Sequence, residues 1–236
     1  VIARYAGGTS GAGRAARSGA MVVVVDAYRA SATIAVLVSK GASVIPLLSV
    51  EAARTYPADF RVGERDRAKV AGFDFGNTPT GILREKDFPP GSTCAMTTTN
   101  GTRIVEAGAG SPVILAGSFA NAGTVAQDIL LRFERGESSE VSVVGCGWRG
   151  RRTSEDEAAS AESLSRLRGS GIPRRAEKVV ADHEKRPPGS LRNNDAARRL
   201  KSPGYEKDLY FCLEKDIVPV APVLVGGAFV AYDDRR

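Results

Sequence analysis

Five times in this chain a short apolar or β-branched run ends at a polar turn and gives way to a stretch of helical length. Met21 to Val25 passes through Asp26 into the apolar segment Ala32 to Val38, and Ala42 to Leu48 leads into Val50 to Tyr56. Thr93 to Met96 leads into a helix over Thr102 to Ala107, Val113 to Ala116 into Gly123 to Phe133, and Val141 to Val144 into a helix opening near Ser154. Within Gly123 to Phe133, Val125, Ile129 and Phe133 recur every four positions with Leu130 beside them, so one side faces a core. Strands alternating with helices pack as an α/β fold whose sheet is largely parallel or mixed and covered on both faces. A binding site in such a sheet lies beyond the carboxyl ends of its strands.

With 42% hydrophobic and 25% charged residues, the 236-residue chain has the balance of a globular protein, which excludes disordered and fibrous classes. Ile217 to Tyr232 carries no charge, but Pro219, Pro222, Gly226 and Gly227 break it, and it falls short of the ~20 apolar residues a spanning helix needs. No membrane segment is expected. Residues 1–20, rich in Gly and Ala, read as a flexible N-terminal segment without the sections of a secretory signal. Residues 21–236 read as a single α/β domain, and the recurring unit permits two pseudo-repeated lobes. Ile172 to Gly204 reads as irregular helices over the domain, with Ile217 to Val225 and Phe229 to Ala231 as closing strands.

The net charge of +6 is concentrated between Arg149 and Lys215, where 16 Lys or Arg face 11 Asp or Glu. Acids interleave with the bases there and few aromatic residues are available to stack on bases, so a solvated surface is favoured over a nucleic-acid interface. Cys94, Cys146 and Cys212 are scattered and odd in number, which points to a reducing, cytoplasmic setting. His183 is the only histidine, so a multi-histidine metal site is ruled out and any metal must be held by oxygen, which suits Mg²⁺.

Asp26 follows four valines and emerges at a strand end with Arg29 and Ser31 close behind. A carboxylate there ligates Mg²⁺ or attacks phosphorus; the structural alternative is a helix cap paired with Arg29. Haloacid-dehalogenase-type phosphatases need a second acid two residues on, and Tyr28 stands there instead. In Thr97-Thr98-Thr99-Asn100-Gly101-Thr102-Arg103, hydroxyls, an amide and a guanidinium meet where a strand joins a helix, and Thr98, Thr99, Asn100 and Arg103 read as a phosphate site; the structural alternative is that Thr99 or Asn100 caps the helix. Gly63-Glu64-Arg65 supplies Glu64. The alternating segment Gly72-Phe73-Asp74-Phe75-Gly76-Asn77-Thr78-Pro79 reads as a compact binding loop bearing Asp74 and Asn77. Glu64 and Asp74 either join Asp26 at a metal or pair and brace locally.

Ser154-Glu155-Asp156-Glu157 carries the Ser-x-x-Glu signature of a reciprocal helix cap, which leaves Glu155 and Asp156 for chemistry. Asn121 caps its helix or holds a substrate oxygen. Cys146 begins a loop that only loosely approaches a Cys-based phosphate loop, and a small buried group is the better reading.

In order, Val22–Ser31, Gly63-Glu64-Arg65, Gly72–Pro79, Thr97–Thr102, Gly117–Ala122 and Glu155-Asp156 resemble the 2-phosphosulfolactate phosphatase family, the Mg²⁺-dependent phosphatases of coenzyme M biosynthesis. The closing segment Gly204 to Pro219 is also similar. The chain departs from the family pattern at Tyr28-Arg29-Ala30-Ser31, where Leu-Arg-Ala-Thr is usual, and at Ala158-Ala159-Ser160-Ala161, where Cys-Ala-Gly is expected. The resemblance implies a three-layer α/β/α fold and hydrolysis of 2-phosphosulfolactate to sulfolactate and phosphate. Together these readings assign Asp26, Glu155 and Asp156 to catalysis and Asp26, Glu64 and Asp156 to Mg²⁺. Arg29, Asp74, Asn77, Thr98, Thr99, Asn100, Arg103 and Asn121 are assigned to a small anionic phosphate ester. A homodimer is compatible with the sequence. Two other readings stay open: a phosphatase of another small anionic phosphomonoester, and a non-enzymatic anion- or nucleic-acid-binding module built on the basic region.

Overall fold

The computed structural model describes residues 2–65, 68–168, 170–172, 174–187, 189–202 and 204–231. In chain order the elements are β1 (Ile2–Gly7), α1 (Gly8–Arg17), β2 (Met21–Val25), α2 (Ala30–Ser39), β3 (Ser43–Pro46), α3 (Val50–Thr55), β4 (Phe60–Arg65) and β5 (Ala68–Lys69). They continue with α4 (Pro79–Arg84), β6 (Thr93–Thr97), α5 (Gly101–Ala107), β7 (Ile114–Ala116), α6 (Ala122–Glu134), β8 (Glu140–Gly145) and α7 (Ser154–Ser165). The chain closes with β9 (Arg174–Arg175), α8 (Glu177–Glu184), α9 (Asp195–Lys201), α10 (Glu206–Leu213), β10 (Pro222–Val225) and β11 (Ala228–Ala231).

The described strands hydrogen-bond in the order β5-β4-β6-β3-β11-β10-β7-β2-β8-β1-β9. Two blocks are parallel throughout, β9-β1-β8-β2-β7 and β3-β6-β4. The antiparallel hairpin β10–β11 joins them, each of its strands reaching its block through one register pair, Val223↔Leu115 and Phe229↔Val44. The sheet is therefore mixed, with helices on both faces.

Strand β2 shows why the valine run is tolerated. All five of its residues are buried, with Val22 and Val24 in one apolar cluster and Met21, Val23 and Val25 in another. The two-residue period of a strand sends alternate side chains to opposite faces, and both faces here are covered. Helix α2 is buried from Ala30 to Val38, packed against α4, β3, β10 and β11, which accounts for its lack of a polar side.

The first twenty residues differ from the flexible lead expected from their composition. β1 pairs with β8 from Ile2↔Glu140 to Gly7↔Gly145, and α1 packs on α5. Small residues serve close packing here: Gly11, Ala12 and Ala15 are buried, and a Cβ on Gly11 would lie 3.0 Å from that of Ala6. The expected strand Ile217 to Val225 is shortened to β10, because the N–H of Val218 donates to Ala120 O and Pro219 has no N–H to give a ladder. Between 172 and 204 the chain forms regular helices α8 and α9 and a two-residue strand beside β1.

Candidate active site

A cavity of about 380 Å³ opens where β2, β4, β6 and β8 end. Asp26 comes from the end of β2, Glu64 from β4, Thr98, Thr99 and Asn100 from the turn after β6, and Gly147, Trp148 and Arg149 from the loop after β8. The first turn of α7 adds Glu155 and Asp156, and α9 adds Arg199.

The turn at Asp26 and the carboxylate of Asp156 are fixed by the hydrogen bonds around them. The main-chain N–H of Asp26 donates to Ser31 Oγ at 2.9 Å, and Ser31 Oγ donates to Val24 O at 3.1 Å, which shapes the turn. Asp156 accepts the Ala27 N–H at 2.8 Å through Oδ1 and the Gly147 N–H at 2.7 Å through Oδ2. Gly145 is what lets α7 approach this closely, since a Cβ there would meet Tyr5 Oη at 2.9 Å and Asp156 Cβ at 3.2 Å.

The electrostatics follow from burial and mutual repulsion. Burial pushes the Asp156 carboxyl well above the ordinary range, and the charges of Asp26 and Glu155 push it further; the Ala27 and Gly147 N–H groups only partly offset this. Asp26 is raised by burial and by Glu64 and Glu155, against the stabilising Ala30 N–H and the Arg29 charge. Glu155 is raised by burial, although Asn194 Nδ2 donates to its Oε2 at 2.8 Å. Three acids of one cavity therefore resist ionisation. Such clusters mark sites that bring in a cation or move protons.

Arg29 is 1% exposed and runs between two acids: its Nη1 donates to Asp208 Oδ2 at 2.8 Å and its Nη2 to Glu64 Oε2 at 3.3 Å. The Tyr205 ring lies 4.0 Å from the guanidinium carbon. Asp208, also 1% exposed, additionally accepts from the Thr78 hydroxyl and from the N–H and hydroxyl of Thr80. Asn77 is buried at the cavity wall, where its Oδ1 accepts the Thr33 hydroxyl at 2.7 Å.

A family model described as 2-phosphosulpholactate phosphatase matches residues 11–227 of this chain. The chain belongs to the 2-phosphosulfolactate phosphatase family. It is similar to a Thermotoga petrophila protein named "Probable 2-phosphosulfolactate phosphatase", with 34% identity over 214 residues that cover 88% of this chain and 90% of that protein. A Thermotoga maritima protein of the same name is 32% identical over the same shares, and one from Thermosynechococcus vestitus is 30% identical over 85% of this chain and 87% of its own length.

In this member of the 2-phosphosulfolactate phosphatase family, Asp26, Arg29, Glu64, Asn77, Thr98, Thr99, Asn100, Glu155 and Asp156 share one cavity wall. Three other residues read from the sequence as substrate ligands lie elsewhere. Asp74 is exposed and accepts the Arg61 N–H at 2.7 Å, bracing its own turn. Arg103 is exposed on α5, outside the cavity lining. Asn121 is buried with its amide spent: Oδ1 accepts the Ser118 N–H and hydroxyl, and Nδ2 donates to Ala116 O and Val220 O. The reciprocal cap expected between Ser154 and Glu157 is replaced by an ion pair of Glu157 with Arg152 at 2.6 Å and a hydrogen bond from Asn194 to Ser154 Oγ. Burial and the Asp26 and Asp156 charges push the Cys146 thiol well above its ordinary range, so a thiolate is opposed there.

Sequence reasoning missed Asp208 and Tyr205, which hold Arg29, and Arg199, which reaches the cavity from a helix read as solvated surface. Only the resemblance of Gly204 to Pro219 pointed towards the first two. For Arg199 no local signal separates it from its exposed neighbour Arg198.

Proposed function

We propose that this chain hydrolyses 2-phosphosulfolactate to sulfolactate and phosphate and uses Mg²⁺ to do so. The observation that carries the reading is the convergence of Asp26 and Asp156, both raised by burial and by neighbouring acids, on the cavity that Thr98, Thr99 and Asn100 also line.

The donor set fits a hard cation. Among the described residues no three His, Cys, Asp or Glu side chains form a ready-made cage. That suits Mg²⁺, which is commonly held by one or two carboxylates while water and substrate phosphate complete its shell. Asp26 and Asp156 would hold it, with Glu64 adding charge from the end of β4. When bound, the ion polarises the phosphoryl group and offsets its charge.

The chain's own groups account for the remaining needs of the reaction. Thr98, Thr99 and Asn100 offer hydroxyl and amide donors to phosphoryl oxygens. Asp156, locked by two backbone N–H groups, keeps a fixed orientation. Asp26, ionised when it holds the cation, either attacks phosphorus itself or orients an attacking water. Arg29 pairs with Glu64 at 3.3 Å and restrains its carboxylate.

The test is phosphate release from 2-phosphosulfolactate beside a panel of other phosphomonoesters, each with Mg²⁺ and with EDTA. Metal-dependent release that is fastest on 2-phosphosulfolactate supports the reading; no release from any ester defeats it. Acid-quenched intact mass during turnover distinguishes the role of Asp26, because a phosphorylated chain would make it the nucleophile.

A further inference from the structure

We infer that Arg149 and Arg199, both stacked on Trp148, clamp an anionic tail of the substrate, so that this chain selects phosphomonoesters bearing a second negative group away from the phosphate. The inference rests on the phosphatase reading above and adds the residues that choose the substrate class.

The two arginines come from separate elements. Arg149 follows Trp148 in the loop after β8, and Arg199 belongs to α9. Their guanidinium carbons lie 4.5 and 4.3 Å from the Trp148 ring centroid, and all three residues line the cavity. Arg149 holds φ of 50° and Gly150 φ of 74° between the mutually hydrogen-bonded Trp148 and Arg151, so a two-residue hairpin turn sets the position of Arg149.

The remaining cavity arginine is already engaged. Arg29 is buried between Glu64 and Asp208, whereas among the described residues no salt bridge engages Arg149 or Arg199, and Arg199 acts on Glu155 only through its charge. Asp26, Glu64, Glu155 and Asp156 also line the cavity and supply no positive charge to an incoming anion. Positive potential for the far end of a ligand therefore comes from the two stacked guanidinium groups. Lying over the indole restrains each guanidinium group and reduces the freedom lost on binding a carboxylate or sulfonate. A phosphomonoester with a neutral tail gains nothing from this arrangement.

Trp148 is the only tryptophan of the chain, so its emission reports occupancy of the clamp without any turnover. The experiment titrates sulfolactate, which carries carboxylate and sulfonate but no phosphate, into the unsubstituted chain and into Arg199→Ala, Arg199→Lys and Arg149→Ala. Circular dichroism verifies that each variant is folded. Saturable emission change is expected, with affinity weakened about tenfold or more in each alanine variant and less in Arg199→Lys. In turnover, Arg199→Ala lowers kcat/KM for 2-phosphosulfolactate about tenfold more than for phenyl phosphate, mainly through KM. An Arg199→Ala chain that binds sulfolactate as the unsubstituted chain does overturns the clamp, whatever its turnover. Equal losses on both esters overturn the selectivity. If the unsubstituted chain cleaves neither ester while Arg199→Ala still weakens sulfolactate binding, the phosphatase reading fails and the clamp stands.

Discussion

Asp156 Oδ1 accepts the backbone N–H of Ala27 at 2.8 Å, tying the first turn of α7 to the end of β2 across 129 positions of sequence. With the Gly147 N–H on its other oxygen at 2.7 Å, this carboxylate joins the loops after β2 and β8. Asp156→Ala leaves both N–H groups without their acceptor. The expected net loss is about 1–3 kcal/mol in urea unfolding, because relief of repulsion with Asp26 offsets part of the cost. Asp156→Asn keeps one acceptor but sets an amide against an N–H, so it is expected to lose less stability than Ala and still drop kcat/KM by about 100-fold or more. An unfolding midpoint unchanged in Asp156→Ala contradicts the bracing role.

Both Asp26 and Asp156 have carboxyls raised in the folded chain by burial first and then by neighbouring acids. The folded chain therefore binds these protons more tightly than the unfolded chain does. Its stability falls as pH climbs from the ordinary carboxylate range through the raised values, in the absence of a cation. Mg²⁺ requires the ionised acids, so its binding is expected to tighten with pH over that window, release protons and restore the lost stability. Calorimetric titration at pH 6.5 in buffers of different ionisation enthalpy measures the protons released. A heat independent of buffer identity counts against metal binding at these acids.

Asp208 and Arg29 form an ion pair at 2.8 Å with both side chains 1% exposed. Removing one partner strands the other charge in the interior, and Asp208 also organises Thr78 and Thr80. Asp208→Ala is expected to cost about 3–5 kcal/mol, read from the urea midpoint, and Asp208→Asn less because it keeps hydrogen-bonding capacity. Equal stability in all three chains would mean that the buried pair contributes nothing.

The exposed Arg103 and the cavity-lining Asn100 stand three residues apart and should separate cleanly in assay. Arg103→Ala, on the outer side of α5, is expected to change kcat/KM by less than about twofold. Asn100→Ala removes a donor from the proposed phosphate site and is expected to cost about tenfold or more. The reverse ranking would move that site onto α5.

The strand ends were the legible part of this protein. Met21–Val25 is strand β2 with the boundaries its valines suggest, and Asp26, Thr98 and Asp156 were readable as strand-end or helix-start residues. Turn chemistry and period-two burial are local properties, so one sequence displays them. Direction of a side chain is not local. Arg103 and Asn100 belong to the same motif, yet only the fold decides that one faces solvent and the other the cavity. The same holds for Asn121, whose amide is taken by Ala116 and by Val220 from a distant segment. Arg199 and Asp208 were hidden because charged residues on short helices look alike whether solvated or inward. The N-terminal Gly and Ala run misled for a related reason: small residues favour flexibility in isolation and close contact when another surface is present.

Glu162 on α7 offers a prediction away from the cavity. Burial opposes its ionised form but is outweighed by hydrogen bonds from His183 and Lys215 and by the charges of Lys215 and Arg166, which bring its carboxyl down to about 2. Lys215 Nζ lies 2.7 Å and His183 Nε2 3.1 Å from Oε2, and Arg166 Nε donates to Oε1 at 3.1 Å. A depressed carboxyl contributes stability that is present above its ordinary value and is lost as pH falls through the folded value, here from 4.5 towards about 2. Lys215 and Arg166 are partly exposed, so solvent screening reduces the gain to about 1–2 kcal/mol. Urea midpoints measured between neutral pH and pH 3 should fall more steeply in the unsubstituted chain than in Glu162→Gln, whose stability at neutral pH is lower at the outset. Parallel curves for the two chains would show that Glu162 does not govern the acid limb.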